Sequence, residues 1–284
     1  MIAPDPKPLE PGLYLVATPI GNLRDITLRA LDVLAKADLV LAEDTRVSGK
    51  LLSAYGVKAR LQRYDDHMGA AVRPQILARL EAGERIALVT DAGSPLVSDP
   101  GYRLAVEAAA QGSKVIAIPG ASAVLTGLAV AGLPTDRFLF AGFPPPKSAA
   151  RRTFLEELKP LRATLVFFEG ASRLGESLAD MAAVLGPRPA AVARELTKLY
   201  ETVVRGPLDQ LAADPKLQTP KGEIVVLVGP GAEARLSAED AQAALAEAVL
   251  RLGPSEAAAE VARATGLPRR ELYRRAVELK GHDR

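Results

Sequence analysis

Short apolar segments alternate with segments of helical periodicity in the first 120 residues, and this alternation restricts the fold more than any other feature. The pattern predicts strands at residues 13–17, 38–42, 85–90 and 114–118. It predicts intervening helices at residues 27–37, 74–82 and 102–111. Strands that are apolar on both faces are typical of parallel sheets covered by helices. The N-terminal part is therefore predicted to be a mostly parallel α/β domain.

A proline-rich segment at residues 143–147 separates this part from a second set of predicted strands. These strands lie at residues 137–140, 163–168, 190–193 and 223–228, with a helix that ends near Leu185. The pattern indicates a second α/β domain. We predict domain bounds of 12–120 and 121–231.

Beyond residues 229–231 the sequence predicts helices alone. They are expected at residues 237–252, 255–265 and 268–279, with Ser237 and Ser255 as N-caps, because serine side chains accept hydrogen bonds from free helix N–H groups. Residues 236–284 are therefore predicted to form a small helical domain.

Composition excludes several kinds of site. The 284 residues include no cysteine and two distant histidines, His67 and His282, so no metal site and no Ser-His-Asp triad is predicted. Lysine plus arginine number 36 against 34 acidic residues, a net charge of +2, so nucleic acid would have to bind a local basic patch.

No membrane partner is expected. Residues 1–12 contain four prolines and lack the apolar run of a signal peptide. The uncharged stretch between Lys114 and Asp136 is interrupted by glycine and proline, so neither half is long enough to span a bilayer. The absence of cysteine suits a reducing compartment, and we expect a cytoplasmic protein.

Two glycine-containing segments come near to phosphate-binding motifs. Residues 170–177 follow a strand with the glycine spacing of a P-loop, but Glu176 stands where the motif requires lysine and would repel phosphate. Residues 229–231 lack the third glycine of a dinucleotide site. We interpret the first as a strand-to-helix turn and the second as a domain exit.

Three loops of small residues follow predicted strands, at residues 18–23, 91–95 and 119–123. In open α/β sheets, ligands bind beyond the carboxyl ends of the strands, where small side chains let the backbone approach them. Because these loops hold no cluster of lysine or arginine, they suit a ligand without phosphates. Tight turns with no ligand are the alternative for these loops taken alone.

Together these segments resemble the tetrapyrrole (corrin/porphyrin) methylase family. The matching stretches are LYLVATPIGNLRDITLRAL (13–31), LAEDTR (41–46), LVTDAGSPLVSDPGY (88–102), IPGASAV (118–124), AGLPTDRFLFAGFPPPK (131–147), ARELTKLYE (193–201) and PKGEIVVLV (220–228). The resemblance implies two α/β domains, with S-adenosylmethionine in the cleft between them, and a helix-turn-helix-like C-terminal extension. Family members commonly form homodimers.

Within the family, the segments most resemble members that methylate the ribose 2′-hydroxyl of a cytidine in 16S rRNA. The resemblance therefore implies an rRNA methyltransferase whose partner is 16S rRNA or the assembled small ribosomal subunit. One departure is the segment His67-Met68-Gly69, where relatives usually follow the histidine with Asn-Glu. A substrate role for this loop is therefore not predicted.

The resemblance also implies which residues line the cofactor cleft, mainly through backbone atoms. They are Pro19, Asp91, Gly93, Ser94, Pro95, Ala121, Ser122, Phe167, Phe168, Glu169, Leu196, Lys221, Gly222, Glu223 and Ile224. The chemistry agrees, since S-adenosylmethionine requires donors and acceptors for its amino-acid and ribose groups and no phosphate cradle.

Candidate catalytic residues lie in two charged loops at strand ends. A ribose hydroxyl is a poor nucleophile at neutral pH, so a base or a nearby cation would help it to react. We expect Lys198 or Glu43 to activate the hydroxyl, and Arg46 and Arg194 to hold the RNA backbone. Structural ion pairs are the alternative for each residue.

Two basic segments are candidates for RNA contact. Residues 268–279 resemble the second helix of a helix-turn-helix, with Leu272 and Val277 as core positions and Arg269, Arg270, Arg274 and Arg275 projecting outward beside Tyr273. The other segment holds Lys147, Arg151 and Arg152. A merely solvated helix face is the alternative for the first.

Two other functions remain open at this point. One is methylation of a corrinoid precursor by an enzyme of the same fold, for which the basic tail has no evident use. The other is a DNA-binding regulator whose α/β part senses a ligand, for which the charged loops beside the cleft have no evident use.

Overall fold

The computed structural model describes residues 7–231 and 238–281. The chain forms two compact units, Met1–Pro230 and Gly231–Arg284. Among the described residues, no helix has both the length and the apolar character needed to cross a membrane. The predicted N-cap Ser237 and the second histidine, His282, lie outside the described residues, as does the side chain of His67.

The first sheet of the larger unit is parallel, as the apolar strands predict. Its strands are β1 Gly12–Val16, β2 Leu39–Ala42, β3 Leu61–Arg63, β4 Arg85–Val89 and β5 Val115–Ile118, in the order β3-β2-β4-β1-β5. Its helices are α1 Leu28–Lys36, α2 Thr45–Ala54, α3 Asp66–Glu81 and α4 Tyr102–Ala110. Because all five strands run in one direction, the loops after β1, β2, β4 and β5 meet at one edge of the sheet.

Local sequence signals explain one predicted helix and one that the sequence interpretation missed. Thr27 caps α1 through a hydrogen bond that Oγ1 accepts from the N–H of Ala30, at 3.1 Å. Asp44 caps α2 in the same way, accepting from the N–H of Arg46 at 2.8 Å. The predicted charged loop at residues 43–46 therefore continues into a helix, because an aspartate ahead of a helical run is an N-cap.

Helix α3 begins eight residues earlier than predicted. The sequence prediction places its start at Pro74, a residue type that is favoured in the first helical turn. The structure instead has Pro74 in the interior of a 16-residue helix, Asp66–Glu81. Packing of Ile76, Leu77 and Leu80 into the first core holds the helix despite the proline.

The second sheet is mixed. Its strands are β6 Phe138–Phe140, β7 Thr164–Gly170, β8 Pro189–Arg194, β9 Thr202–Pro207 and β10 Glu223–Val228, in the order β6-β7-β10-β8-β9. Only β6 and β7 are parallel, and the other pairs are antiparallel. Its helices are α5 Ala123–Ala131, α6 Ser148–Leu158, α7 Leu174–Leu185 and α8 Leu208–Ala213. Residues 170–177 form the predicted strand-to-helix turn between β7 and α7.

A shared apolar core brings the carboxyl edge of the first sheet to the second. Helix α5 lies on the second sheet, where Val124 and Leu128 pack with Val225 and Leu227 of β10. Ile20, in the loop after β1, joins the same cluster and is 7% exposed. The loops after β1 and β5 therefore lie directly against the start of β10.

The sequence prediction that Arg151 contacts RNA, together with Lys147 and Arg152 in one basic segment, is wrong. The side chain of Arg151 is 1% exposed and its Nη2 lies 2.7 Å from Oδ2 of Asp180. The guanidinium also donates to the carbonyls of Pro145 and Pro146. Arg151 therefore anchors the proline-rich segment to α7 and cannot contact RNA, although the neighbouring Arg152 is 55% exposed and shares the same carboxylate.

The smaller unit contains the three predicted helices, α9 Ala238–Arg251, α10 Pro254–Thr265 and α11 Arg269–Gly281. Two details differ from the sequence interpretation. Gly253 is the N-cap of α10, so Ser255 lies inside the first turn. Leu272 is buried as predicted but Val277 is 46% exposed, because Ala276, one helical turn after Leu272, faces the core instead.

Candidate active site

Two neighbouring cavities open where the loops of the first sheet meet the second sheet. The inner cavity, of about 460 Å³, lies between the loops after β4 and β5 and the strands β7 and β10. The outer cavity, of about 400 Å³, lies between the loop after β1, helix α2 and Lys198. They share Ile20, Asp91, Ala92 and Glu223. Ligands in the two cavities would therefore meet at these four residues.

Most of the predicted site residues line one of the cavities. The inner cavity contains Glu43, Asp91, Gly93, Ser94, Ser122, Phe168, Glu169, Leu196, Gly222, Glu223 and Ile224. Pro19 and Lys198 line the outer cavity, together with the shared Asp91 and Glu223.

Six predicted residues lie in the walls of neither cavity: Pro95, Ala121, Phe167, Lys221, Arg46 and Arg194. Phe167 shows why. Neighbouring side chains of a strand point to opposite faces, so Phe167 is fully buried in the core beside Phe154 while Phe168 faces the cavity. A side-chain contact of Phe167 with the cofactor is therefore excluded by the structure.

Paired hydrogen bonds hold two of the loops together. The backbone of Thr18 and that of Gly93 exchange hydrogen bonds of 2.9 and 3.1 Å. Gly93 has a φ of 83°, a conformation that glycine adopts without strain. The N–H of Asp44 donates to Oδ1 of Asp91 at 3.1 Å. The carboxylate of Asp91 is thus oriented where the two cavities meet.

Backbone strain also concentrates at these loops. Among the described residues, the non-glycine residues with positive φ are Leu96, Ser98, Glu195 and Thr197, at 71°, 63°, 53° and 67°. The first two flank the inner cavity and the other two flank Leu196. Strained conformations of this kind persist where the surrounding structure determines them, and they cluster at functional sites.

Lys198 is held by two carboxylates. Its Nζ lies 2.9 Å from Oε1 of Glu195 and 3.0 Å from Oε2 of Glu223. A Cβ atom at Gly21 would collide with the lysine stem, so glycine is required for this approach. Burial disfavours the charged amine, but the hydrogen bonds to Glu195 and Glu223 outweigh it and raise the pKa of Lys198. Lys198 therefore carries a proton at neutral pH and faces the outer cavity as a cation.

The two arginines of the predicted site have structural partners. Arg194 donates to the carbonyls of Lys221 and Tyr200 and to the hydroxyl of Thr202, so it braces the loop that carries Lys198. The guanidinium of Arg46 lies 2.6 Å from Asp44, and its side chain is 85% exposed. For Arg194 the alternative of a structural role is met by hydrogen bonds to two backbone oxygens and one hydroxyl.

Asp99 is a candidate that the sequence interpretation missed. It lines the inner cavity with Glu43 and Asp91. Burial and the nearby carboxylates of Glu43 and Asp91 raise the pKa of Asp99 to about 6. Its position in the loop between β4 and α4, in the stretch LVSDPGY, was the available signal. A carboxyl group with this pKa changes charge close to neutral pH.

The inner cavity also has an aromatic wall. Phe143 and Phe140 each pack edge-on to Phe168, with ring centroids 5.6 and 4.7 Å away. Phe143 is 56% exposed and, like Phe168, lines the cavity. The sequence interpretation took residues 143–147 as a boundary segment and overlooked this ring. The wall offers an apolar surface to a planar group.

We expect the carboxyl group of Asp99 to titrate with a midpoint near pH 6 in a carbon-detected NMR titration. Glu43→Gln should lower this midpoint, because the repulsion from the Glu43 carboxylate would be gone. Since the raised pKa favours the neutral carboxyl in the folded state, stability should fall as the pH rises from about 4 to 6, and Asp99→Asn should remove this fall.

The matched control for this titration is Glu157→Gln, on the exposed surface of α6. It removes a carboxylate that does not line the inner cavity, so the midpoint of Asp99 should not change. A midpoint near the ordinary aspartate value in the unmodified protein would contradict the prediction.

Comparison with known proteins agrees with this geometry. Residues 12–212 match the model of the Tetrapyrrole (Corrin/Porphyrin) Methylases, and residues 235–280 match the RsmI C-terminal HTH domain. The chain therefore belongs to the tetrapyrrole methylase family, whose members are S-adenosylmethionine-dependent methyltransferases. The family resemblance of the sequence is confirmed, and so are the fold class and the helix-turn-helix-like extension.

Several curated relatives share nearly the whole chain. A protein of Mesorhizobium japonicum called Ribosomal RNA small subunit methyltransferase I is 51% identical over 276 residues, which cover 96% of this chain and 94% of that protein. A protein of Escherichia coli O157:H7 with the same name is 44% identical over 273 residues, covering 95% and 96%.

Solved structures share the fold of the larger unit. Uroporphyrin-III-C-methyltransferase from Thermus thermophilus superposes with a TM-score of 0.55 at 24% identity, covering 76% of this chain and 93% of that structure. Diphthine synthase superposes with a TM-score of 0.56 at 17% identity, covering 76% and 89%. At these identities the likeness establishes the architecture alone.

Proposed function

We propose that this protein transfers the methyl group of S-adenosylmethionine to the ribose 2′-hydroxyl of a cytidine in the 16S rRNA of the small ribosomal subunit. The observation that carries the proposal is the near-full-length similarity to proteins called Ribosomal RNA small subunit methyltransferase I, which includes the C-terminal domain. The paired cavities support it, because methyl transfer needs room for a donor and an acceptor side by side.

The residues of the inner cavity fit S-adenosylmethionine. Its size is within the usual range of small-molecule sites, about 300–1,000 Å³. The aromatic wall of Phe143 and Phe168 suits the adenine ring, and the carboxylates of Asp91 and Asp99 suit hydroxyl and ammonium groups. When bound, this molecule supplies a methyl group that a ribose oxygen can accept.

The chain's own charged groups would activate the acceptor hydroxyl. Lys198, as a cation, would stabilise negative charge that develops on the ribose oxygen. Glu43, which lines the inner cavity, would accept the hydroxyl proton. Arg46 would contact the RNA backbone, since its side chain is exposed next to the outer cavity residue Val47. Arg194 would act indirectly, by positioning the Lys198 loop.

The smaller unit would bind RNA phosphates. Arg269, Arg270, Arg274 and Arg275 are all exposed on α11, and Tyr273 beside them is 48% exposed. Such contacts add affinity that depends on salt and is independent of base sequence. The smaller unit is therefore assigned to holding the substrate and the larger unit to the reaction.

Arg274→Glu is expected to weaken binding to small ribosomal subunits. The slope of log K against the logarithm of salt concentration should also become shallower, by the equivalent of about one phosphate contact. Arg263→Glu, a charge-matched change on the exposed surface of α10, should have a smaller effect. Affinity measured at several salt concentrations checks this. Equal effects of the two substitutions would show that α11 has no special role.

The function is tested by incubating the protein with tritium-labelled S-adenosylmethionine and small ribosomal subunits that lack the modification. Labelled 2′-O-methylcytidine in the digested rRNA is the expected product. Binding of S-adenosylmethionine without label in subunits or rRNA would overturn the rRNA proposal and indicate a small-molecule acceptor, such as a corrinoid precursor.

Three further features belong to the same proposal. We infer a division into 12–120, 121–231 and 236–284, which the separate sheets and helices support. A homodimer is inferred from the family, and sedimentation of the full chain tests it. An rRNA substrate implies that the protein acts in the cytoplasm.

A further inference from the structure

The outer cavity has no assigned occupant once S-adenosylmethionine is placed in the inner one. We propose that it binds a single nucleotide of the RNA, turned out of its stack, with the ribose at the boundary with the inner cavity. This inference rests on the proposed function and adds the place where the acceptor binds.

The position of the outer cavity supports this assignment. It meets the inner cavity at Ile20, Asp91 and Glu223. A methyl group passes only between atoms in van der Waals contact, so an acceptor must lie directly against the donor site. The loop hydrogen bonds that orient Asp91 hold this boundary in place.

The walls match the chemistry of a nucleoside. Leu23 and Val47 are apolar, yet they are 50% and 40% exposed, and they offer a surface to the face of a base. Lys198 and Asp91 supply charged groups to the same lining, Asp91 at the boundary of the two cavities and Lys198 bonded to Glu223 at that boundary, where the ribose is assigned. A volume of about 400 Å³ accepts one small ligand and excludes a duplex, so the nucleotide must leave its stack to enter.

A buried hydroxyl gives an independent sign of a polar ligand. Ser48 is 3% exposed and lines the outer cavity, and its Oγ has no hydrogen-bond partner in the part of the chain that the structure describes. Buried hydroxyl groups in proteins nearly always have a partner. A nucleotide in the cavity would offer one.

Val47→Trp tests the assignment, because Val47 lines the outer cavity and not the inner one. The indole should obstruct the outer cavity and lower kcat/KM for methyl transfer to small ribosomal subunits by about tenfold or more. The dissociation constant of S-adenosylmethionine should change by less than about twofold. Ser53→Trp, an exposed position on the same helix outside both cavities, should change neither quantity.

A second measurement separates this inference from the proposed function. Cytidine 5′-monophosphate is added to the protein saturated with S-adenosylhomocysteine, and binding is followed by saturation-transfer NMR. The expected result is a signal that Val47→Trp abolishes and Ser53→Trp preserves, whether or not rRNA is methylated. Absence of binding to the unmodified protein, or binding and methyl transfer that Val47→Trp leaves intact, would overturn the inference. A loss of S-adenosylmethionine affinity in Val47→Trp as large as its loss of kcat/KM would overturn the inference too, since the two cavities would then be one site.

Discussion

Replacing Lys198 with methionine is expected to lower kcat for methyl transfer by about 100-fold, the usual cost of removing one group that stabilises developing charge in a closed site. Methionine keeps the apolar stem over Gly21 and removes the cation that Glu195 and Glu223 hold at the outer cavity. Single-turnover kinetics with saturating S-adenosylmethionine measure the loss. Affinity for S-adenosylmethionine should stay close to that of the unmodified protein, because Lys198 does not line the inner cavity.

Lys198→Arg is the matched variant, since it keeps the charge and alters its position. The rate of methyl transfer by Lys198→Arg should be partly recovered relative to that of Lys198→Met. A pH–rate profile adds a readout that a purely structural role would not change. Because the pKa of Lys198 is raised, its cationic form should persist across the neutral range. Deprotonation of Lys198 should therefore cause no loss of activity near pH 8. Normal kcat in Lys198→Met would exclude Lys198 from the reaction.

The second large effect is expected on stability. Arg151→Met should lower the free energy of unfolding by about 3 kcal/mol, because it leaves the buried carboxylate of Asp180 without its most buried partner. Arg151 and Asp180 are 1% and 4% exposed, so water cannot replace the lost interaction. Urea unfolding of the full chain, followed by far-ultraviolet circular dichroism, measures the change.

Arg152→Met is the control within the same cluster. Arg152 bonds to the other oxygen of Asp180, but its side chain is 55% exposed, so its loss should cost less than about 1 kcal/mol. Combining Arg151→Met with Asp180→Leu should offset most of the single-variant loss, since no buried charge then remains unpaired. Equal destabilisation by Arg151→Met and Arg152→Met would contradict this account of the cluster.

The first sheet and the loops of the inner cavity were predictable because their signals are local. Buried parallel strands are continuous apolar runs, and β1, β2, β4 and β5 all appear as such. Strand β3 was missed because it has three residues, of which one is exposed. Strand β9 was missed because its residues are exposed or half-buried at the edge of the second sheet.

Charged residues were the least predictable part of the candidate site. Arg151 and Arg152 are adjacent in sequence and similar in chemistry, yet one is buried and the other is half exposed. Asp99 was overlooked because its raised pKa depends on burial and on Glu43, which is 56 residues away in the sequence. Environments of this kind exist only after folding.

Local patterns in the sequence were enough to predict the α/β class, the helical extension, the family and most of the loops that line the inner cavity, because apolar periodicity and small-residue turns act over a few neighbouring positions. The pairing of strands in the second sheet, the burial of Arg151 and the meeting of two cavities at Asp91 became evident from the folded chain. Strand pairing, desolvation and cavity shape depend on contacts between residues far apart in the chain, which no local pattern encodes.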